Sequence, residues 1–266
     1  MKILIFLIVV TINSVLASSE LASCEAEILK FGDGSGRDKI SSQCINLYLA
    51  KALPLGIEES LDEKWKVVGF HNMLVIAKKD KSISERDLIA GSNTELSGIV
   101  AVTLDEAHQE IAVLLNSGDI LFFSSRILGN VAPLRVIKSK ELEGAVDLAI
   151  NPNTNQVIVL NQKSQSLLFY SSKANIHAHT EKKNLGPKKI IQRLPAMAQS
   201  IAIHPVKKEL YTLDSAKSTI WVYDLSSQKS LGQLVIPKNQ LIKVEALKDE
   251  LLFTDNKLDT IRIPRK

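Results

Sequence analysis

Ser200-Ile201-Ala202-Ile203-His204-Pro205, then Glu209-Leu210-Tyr211-Thr212-Leu213-Asp214, then Ile220-Trp221-Val222-Tyr223-Asp224: these three short runs decide the fold. Each is dense in β-branched or aromatic residues and is bounded by Lys, Ser, Asp or Pro, the composition of strands joined by tight turns. The same order recurs elsewhere. Val146-Asp147-Leu148-Ala149-Ile150-Asn151-Pro152 leads to Val157-Ile158-Val159-Leu160-Asn161 and Leu167-Leu168-Phe169-Tyr170. Ile99-Val100-Ala101-Val102-Thr103 leads to Ile111-Ala112-Val113-Leu114-Leu115-Asn116 and Ile120-Leu121-Phe122-Phe123. A looser copy runs Lys243-Val244-Glu245-Ala246-Leu247, Glu250-Leu251-Leu252-Phe253-Thr254-Asp255 and Thr260-Ile261-Arg262-Ile263. The alanines of the first strands fall at 101, 149 and 202, with Glu245 in that place in the fourth copy. The repeat is therefore about 50 residues long.

A unit of three or four such strands cannot bury both faces of its own sheet, so copies must stack around a common axis. The expected fold is an all-β propeller. Trp65-Lys66-Val67-Val68-Gly69-Phe70 and Met73-Leu74-Val75-Ile76-Ala77, around the turn His71-Asn72, add a blade upstream. That makes about five blades, with six as the alternative. The order Ile-Ala-Ile-His-Pro, Leu-Tyr-Thr-Leu-Asp, Ile-Trp-Val-Tyr-Asp across 201–224 resembles the YVTN/NHL-type β-propeller repeat. The match is good over 146–170 and loose over 99–123 and 243–263. The resemblance implies architecture only, since that family holds binding modules, interaction scaffolds and some enzymes.

The chain ends differ from the repeats. Met1-Lys2 precedes an apolar run from Ile3 to Val10, continued to Leu16, and Val15-Leu16-Ala17 offers small residues for cleavage. This is the layout of a secretory signal at 1–17, and the run is shorter than a spanning helix needs. Residues 18–62 are expected to form an N-terminal segment, and 63–266 the propeller. Within that segment, 26–31 reads as a strand completing the last blade, which has room for only three strands of its own. Ile40, Cys44, Leu47 and Lys51 stand at helical spacing ahead of Pro54, so a short helix is expected there. The two cysteines, Cys24 and Cys44, suit a disulfide in an oxidising compartment. Leu21-Ala22-Ser23-Cys24 also reads as a lipobox, and the two readings exclude each other. The expected location is periplasmic or secreted, with a lipid anchor to a bacterial membrane at Cys24 as the alternative.

The charge of +4, from 33 basic and 29 acidic residues, is too mild to mark a nucleic-acid-binding surface. Asn116, Asn161, Asp214 and Asp255 end the second strands, where such side chains bind their own turns. Asp147, Lys243 and Glu245 break the apolar pattern of the first strands and are the candidate ligand-binding residues of a central channel. His177-Ala178-His179 lies in a polar insert over 171–187, the candidate partner-contact loop. His204 belongs to a repeat turn, and Trp221 and Tyr223 to packing between blades. Gly-x-Ser-x-Gly, Cys-x-x-Cys, His-Glu-x-x-His and a glycine-rich phosphate loop do not occur. The expected function is a non-catalytic binding module for a protein or extracytoplasmic ligand, with no cofactor. The alternative is a small-molecule hydrolase or lactonase that uses channel carboxylates and a divalent cation such as calcium.

Overall fold

Alternating apolar residues give each repeat two buried sheet faces, and the structure stacks them as blades. This computed structural model describes residues 14–31, 40–51, 55–60, 64–78, 83, 87–171, 187, 189–192, 194–195, 197–236, 241–246, 249–255 and 260–264. Blade 1 contains β1 (Gly56–Glu59), β2 (Trp65–Phe70), β3 (Met73–Lys78) and β4 (Leu88–Ala90). Blade 2 contains β5 (Ile99–Asp105), β6 (Glu110–Leu115), β7 (Ile120–Ser124) and β8 (Arg135–Ile137). Blade 3 contains β9 (Ala145–Asn151), β10 (Gln156–Asn161), β11 (Ser166–Ser171) and β12 (Lys189–Gln192). Blade 4 contains β13 (Ala198–Ile203), β14 (Glu209–Asp214), β15 (Thr219–Asp224) and β16 (Ser230–Val235). Blade 5 has three strands among the described residues, β17 (Leu241–Ala246), β18 (Glu250–Asp255) and β19 (Thr260–Pro264). Every sheet is an antiparallel meander with its first strand innermost. The fold is a five-bladed β-propeller.

Successive side chains of a strand point to opposite faces, so each blade meets two neighbours with different residues. Leu74, Ile76 and Ile89 of blade 1 pack on Ile111, Val113 and Phe123 of blade 2. Phe122 and Leu114 of blade 2 pack on Val157, Val159 and Tyr170 of blade 3. Ile158, Leu160 and Phe169 of blade 3 meet Ile201, Leu210 and Tyr223 of blade 4. Tyr211, Leu213 and Val222 of blade 4 meet Val244, Leu251 and Phe253 of blade 5. Among the described residues no apolar cluster joins blade 5 to blade 1. The backbones of β1 and β5 also approach closely, since a Cβ on Gly56 would lie 2.9 Å from the Val102 amide nitrogen.

The face of blade 1 turned away from blade 2 is covered by two helices, α1 (Ser14–Leu29) and α2 (Ser42–Lys51). Cys24, Ile28, Ile40, Cys44 and Ile45 pack there on Phe70, Met73, Val75, Leu88 and Ala90. This corrects the reading of 26–31 as a closing strand. Leu21, Cys24, Ile28 and Phe31 recur at three- and four-residue intervals, a helical stripe in which Ile28 is wholly buried and Leu29 exposed. The helix over 40–51 forms as expected. Ser41 caps it, its Oγ accepting from the Cys44 amide at 3.2 Å. Cys24 and Cys44 are disulfide-bonded, with Cα atoms 5.3 Å apart. That bond takes up the sulfur the lipid-anchor reading needed and fits an oxidising compartment. The first blade opens at Gly56, ahead of the boundary at 63. Most of the expected signal, 1–17, lies outside the described residues, and no described helix is long and apolar enough to cross a membrane.

The disulfide holds together the two helices that cover blade 1. Replacing both cysteines by serine should lower stability by about 2–4 kcal/mol, the usual effect of opening a loop of this size. Urea unfolding of the double variant beside the oxidised protein checks this, and an unchanged midpoint would show that apolar packing alone holds the helices.

Candidate functional site

The innermost strand of each blade has one edge with no strand of its own sheet beside it. Amides on that edge need acceptors from elsewhere. The Ile201 amide donates to Asp147 Oδ2 at 2.8 Å, which links β13 to β9. The Val244 amide donates to Ser200 Oγ at 3.3 Å, which links β17 to β13. Asp147 and Ser200 stand at the same repeat position, two residues before the alanine. Lys243 holds that position in blade 5, and its Nζ donates to Glu58 Oε2 of β1 at 3.1 Å. One repeat position thus reaches from blade 3 to 4, from 4 to 5, and from 5 back to 1.

These residues converge around the axis. Lys243 Nζ also lies 2.8 Å from Glu245 Oε1, its neighbour two along the same strand face. One ammonium therefore serves Glu58 and Glu245 at contact distance and attracts Asp147. Burial, with the charges of Glu245 and Asp147, pushes the Glu58 carboxyl up to about 7 against the pull of Lys243. Burial likewise raises Asp147, although Lys243 and hydrogen bonds from Ile201, Ser200 and Leu148 oppose it. Burial alone would lower Lys243, but Glu58 and Glu245 outweigh it and the ammonium is held charged. Chemically the cluster is a fixed cation among three carboxylates, one of them poised near neutral pH.

Asp147, Lys243 and Glu245, singled out from sequence, are thus brought together. Glu58 and Ser200 were missed. Ser200 carried a signal, its shared position with Asp147, whereas Glu58 sits on a four-residue strand too short to show a pattern. The regular Asn and Asp positions lie apart from this cluster. Asn161 Oδ1 accepts from the Ser164 amide at 2.9 Å, and its Nδ2 donates to the carbonyls of Glu141 and Glu143. Asp214 Oδ1 accepts from the Lys217 amide at 3.3 Å. The main-chain amide of Asn116 donates to the Gly98 carbonyl at 2.7 Å. Asp255 closes β18, and its side chain is outside the described residues. A second set of turn-binding groups ends the first strands. Asp105 accepts from His108 N, Asn151 from Asn153 N, and His204 Nδ1 from the amides of Val206 and Lys207. The insert with His177 and His179 lies outside the described residues over 172–186.

Among the described residues no group of three His, Cys, Asp or Glu side chains could hold a metal ion. In the channel Lys243 stands where a cation bridging Glu58 and Glu245 would go. A surface cleft of about 330 Å³, lined by Trp65, Ile76, Lys78, Asp105 and Arg126 among others, lies between the outer parts of blades 1 and 2 and includes none of the channel residues.

No family model matches the chain, and no curated protein sequence does. Solved structures resemble it in fold. A chain of the crystal structure of the mitotic checkpoint complex matches with a TM-score of 0.53 and 13% identity, over 75% of this chain and 56% of that one. This chain therefore spans little more than half of that one. At such identity the likeness shows the propeller fold alone.

Two outcomes test the cluster. Asp147→Ala strands the Ile201 amide and should cost about 1–3 kcal/mol, whereas Asp147→Asn keeps an oxygen acceptor and should recover most of it; paired urea melts check this. Glu58 titrates higher folded than its ordinary 4.5. Its contribution is complete below that value and is lost as pH rises through about 7, because the folded state binds the extra proton between them. Glu58→Gln should therefore flatten part of the decline in stability between pH 4.5 and about pH 7. Parallel slopes for wild type and variant would refute this.

Proposed function

We propose that this chain is an exported propeller of the YVTN/NHL repeat type that acts as a non-catalytic binding module in the periplasm or outside the cell. The apolar run from Ile3 and the Cys24–Cys44 bond support export. The observation that carries the binding reading is the mutual satisfaction of the channel groups. Lys243 is engaged by Glu58 and Glu245, and Asp147 by the amides of Ile201 and Leu148. Lys243 and Asp147 link blades, and the charged groups of the channel are engaged with one another or with the main chain. Binding then falls to the outer surfaces, for a protein or extracytoplasmic partner.

One observation favours the other reading, a propeller-type hydrolase or lactonase with a divalent cation. Glu58 is held near neutrality, the range suited to a general acid or base. The hydrolase reading requires Lys243 to swing out so that the carboxylates can take a metal.

Calcium or zinc added at one equivalent separates the two. The binding-module reading expects an unchanged melting temperature and no lactone hydrolysis above that of Glu58→Gln. A rise in melting temperature together with turnover that Glu58→Gln abolishes would establish the enzyme instead.

A further inference from the structure

Among the described residues blade 5 is one strand short. The other four sheets have four strands and this one has three. The consequence is visible in burial at the third strand. Phe122 and Phe123 of β7, and Leu167 to Tyr170 of β11, are buried. In β19 the corresponding strand leaves Ile261 and Ile263 half-buried and Arg262 exposed. Among the described residues nothing pairs with the outer edge of β19. Residues 14–29 and 42–51 cannot supply the missing strand, because they are helical and are fixed on blade 1 by their apolar packing and the disulfide.

The edge has a definite chemistry. Ile261 and Ile263 extend the apolar layer shared with blade 4. Arg262 points to the opposite face, where it pairs with Glu250, and Arg265 and Lys266 follow in the sequence. A complementary strand would carry apolar residues on the isoleucine side and acidic residues on the arginine side. Main-chain hydrogen bonds would provide affinity, and the alternating side chains specificity.

We propose that the outer edge of β19 docks an extended segment of a partner protein, alternating apolar and acidic residues, as the fourth strand of blade 5. This rests on the binding-module reading and names the surface and the class of partner for it. Pro264 has no amide hydrogen, so the added ladder runs along Thr260 to Ile263.

The test uses the full chain and two short, end-blocked, fluorescent peptides, one alternating Val and Glu, the other Val and Lys. The Val/Glu peptide should bind saturably and slow hydrogen exchange at 260–263, and the Val/Lys peptide should bind at least about tenfold more weakly. Arg262→Glu should invert that preference, while the comparison of peptides on the unmodified protein stands whether or not the variant folds. Equal binding of both peptides would overturn the proposal. So would protection of both edges of β19 in the free monomer, which would place another segment of this chain there, or protection that appears only in a dimer. Absence of peptide binding, with metals still without effect on melting and no lactone turnover, would sink the docking edge alone and leave the binding module standing.

Discussion

Every blade of this propeller exposes the free edge of its innermost strand to the axis, and the amides on that edge must find acceptors. Neighbouring strands cannot supply them, because the sheet ends there. Blades 3 and 4 meet the constraint with a side chain two residues before the alanine, a place that blade 2 fills with the apolar Ile99. Asp147 and Ser200 accept amide protons from the next blade, at Ile201 and Val244. In blade 5 the same position is Lys243, a donor whose target in the adjoining blade 1 is the Glu58 carboxylate. An unmet amide in such a place costs about as much as a good hydrogen bond contributes, so polarity in an otherwise apolar strand is an architectural necessity.

The repeat was legible because its signal is physical: period-two alternation in six-residue strands, cut by turn residues. β14 and β18 run over the residues expected for them. The outermost strands β4 and β8 were not legible, since three residues cannot display an alternation. The segment around Ile28 failed for another reason. Its residues suit either a strand or a helix when read over six positions, and only the longer stripe from Leu21 to Phe31 separates the two. For the channel, the sequence marked Asp147, Lys243 and Glu245 as deviations from the pattern. It could not say that two of them share a position with Ser200 and one purpose, since that depends on how blades are staggered.

Near the axis Glu58 and Asp147 are shifted upward chiefly because burial penalises their charged forms, and at Glu58 the charges of Glu245 and Asp147 add to that. Lys243 opposes that rise at both groups without cancelling it. Elsewhere the balance is simpler. Arg135 grips Glu110 with both terminal nitrogens while lying 3.8 Å over the Phe122 ring.

The polar seam between the last blade and the first has a consequence for cooperativity. Among the described residues apolar clusters join only the other four junctions, which makes these blades thermodynamically a short linear array bent into a circle. Helices α1 and α2 cap one terminus of that array, and the other terminus, blade 5, has a single apolar neighbour among the described residues. Such a chain unravels from its uncapped end, as a roof sheds tiles from an unsealed edge, so blade 5 opens at a lower free energy than the interior blades.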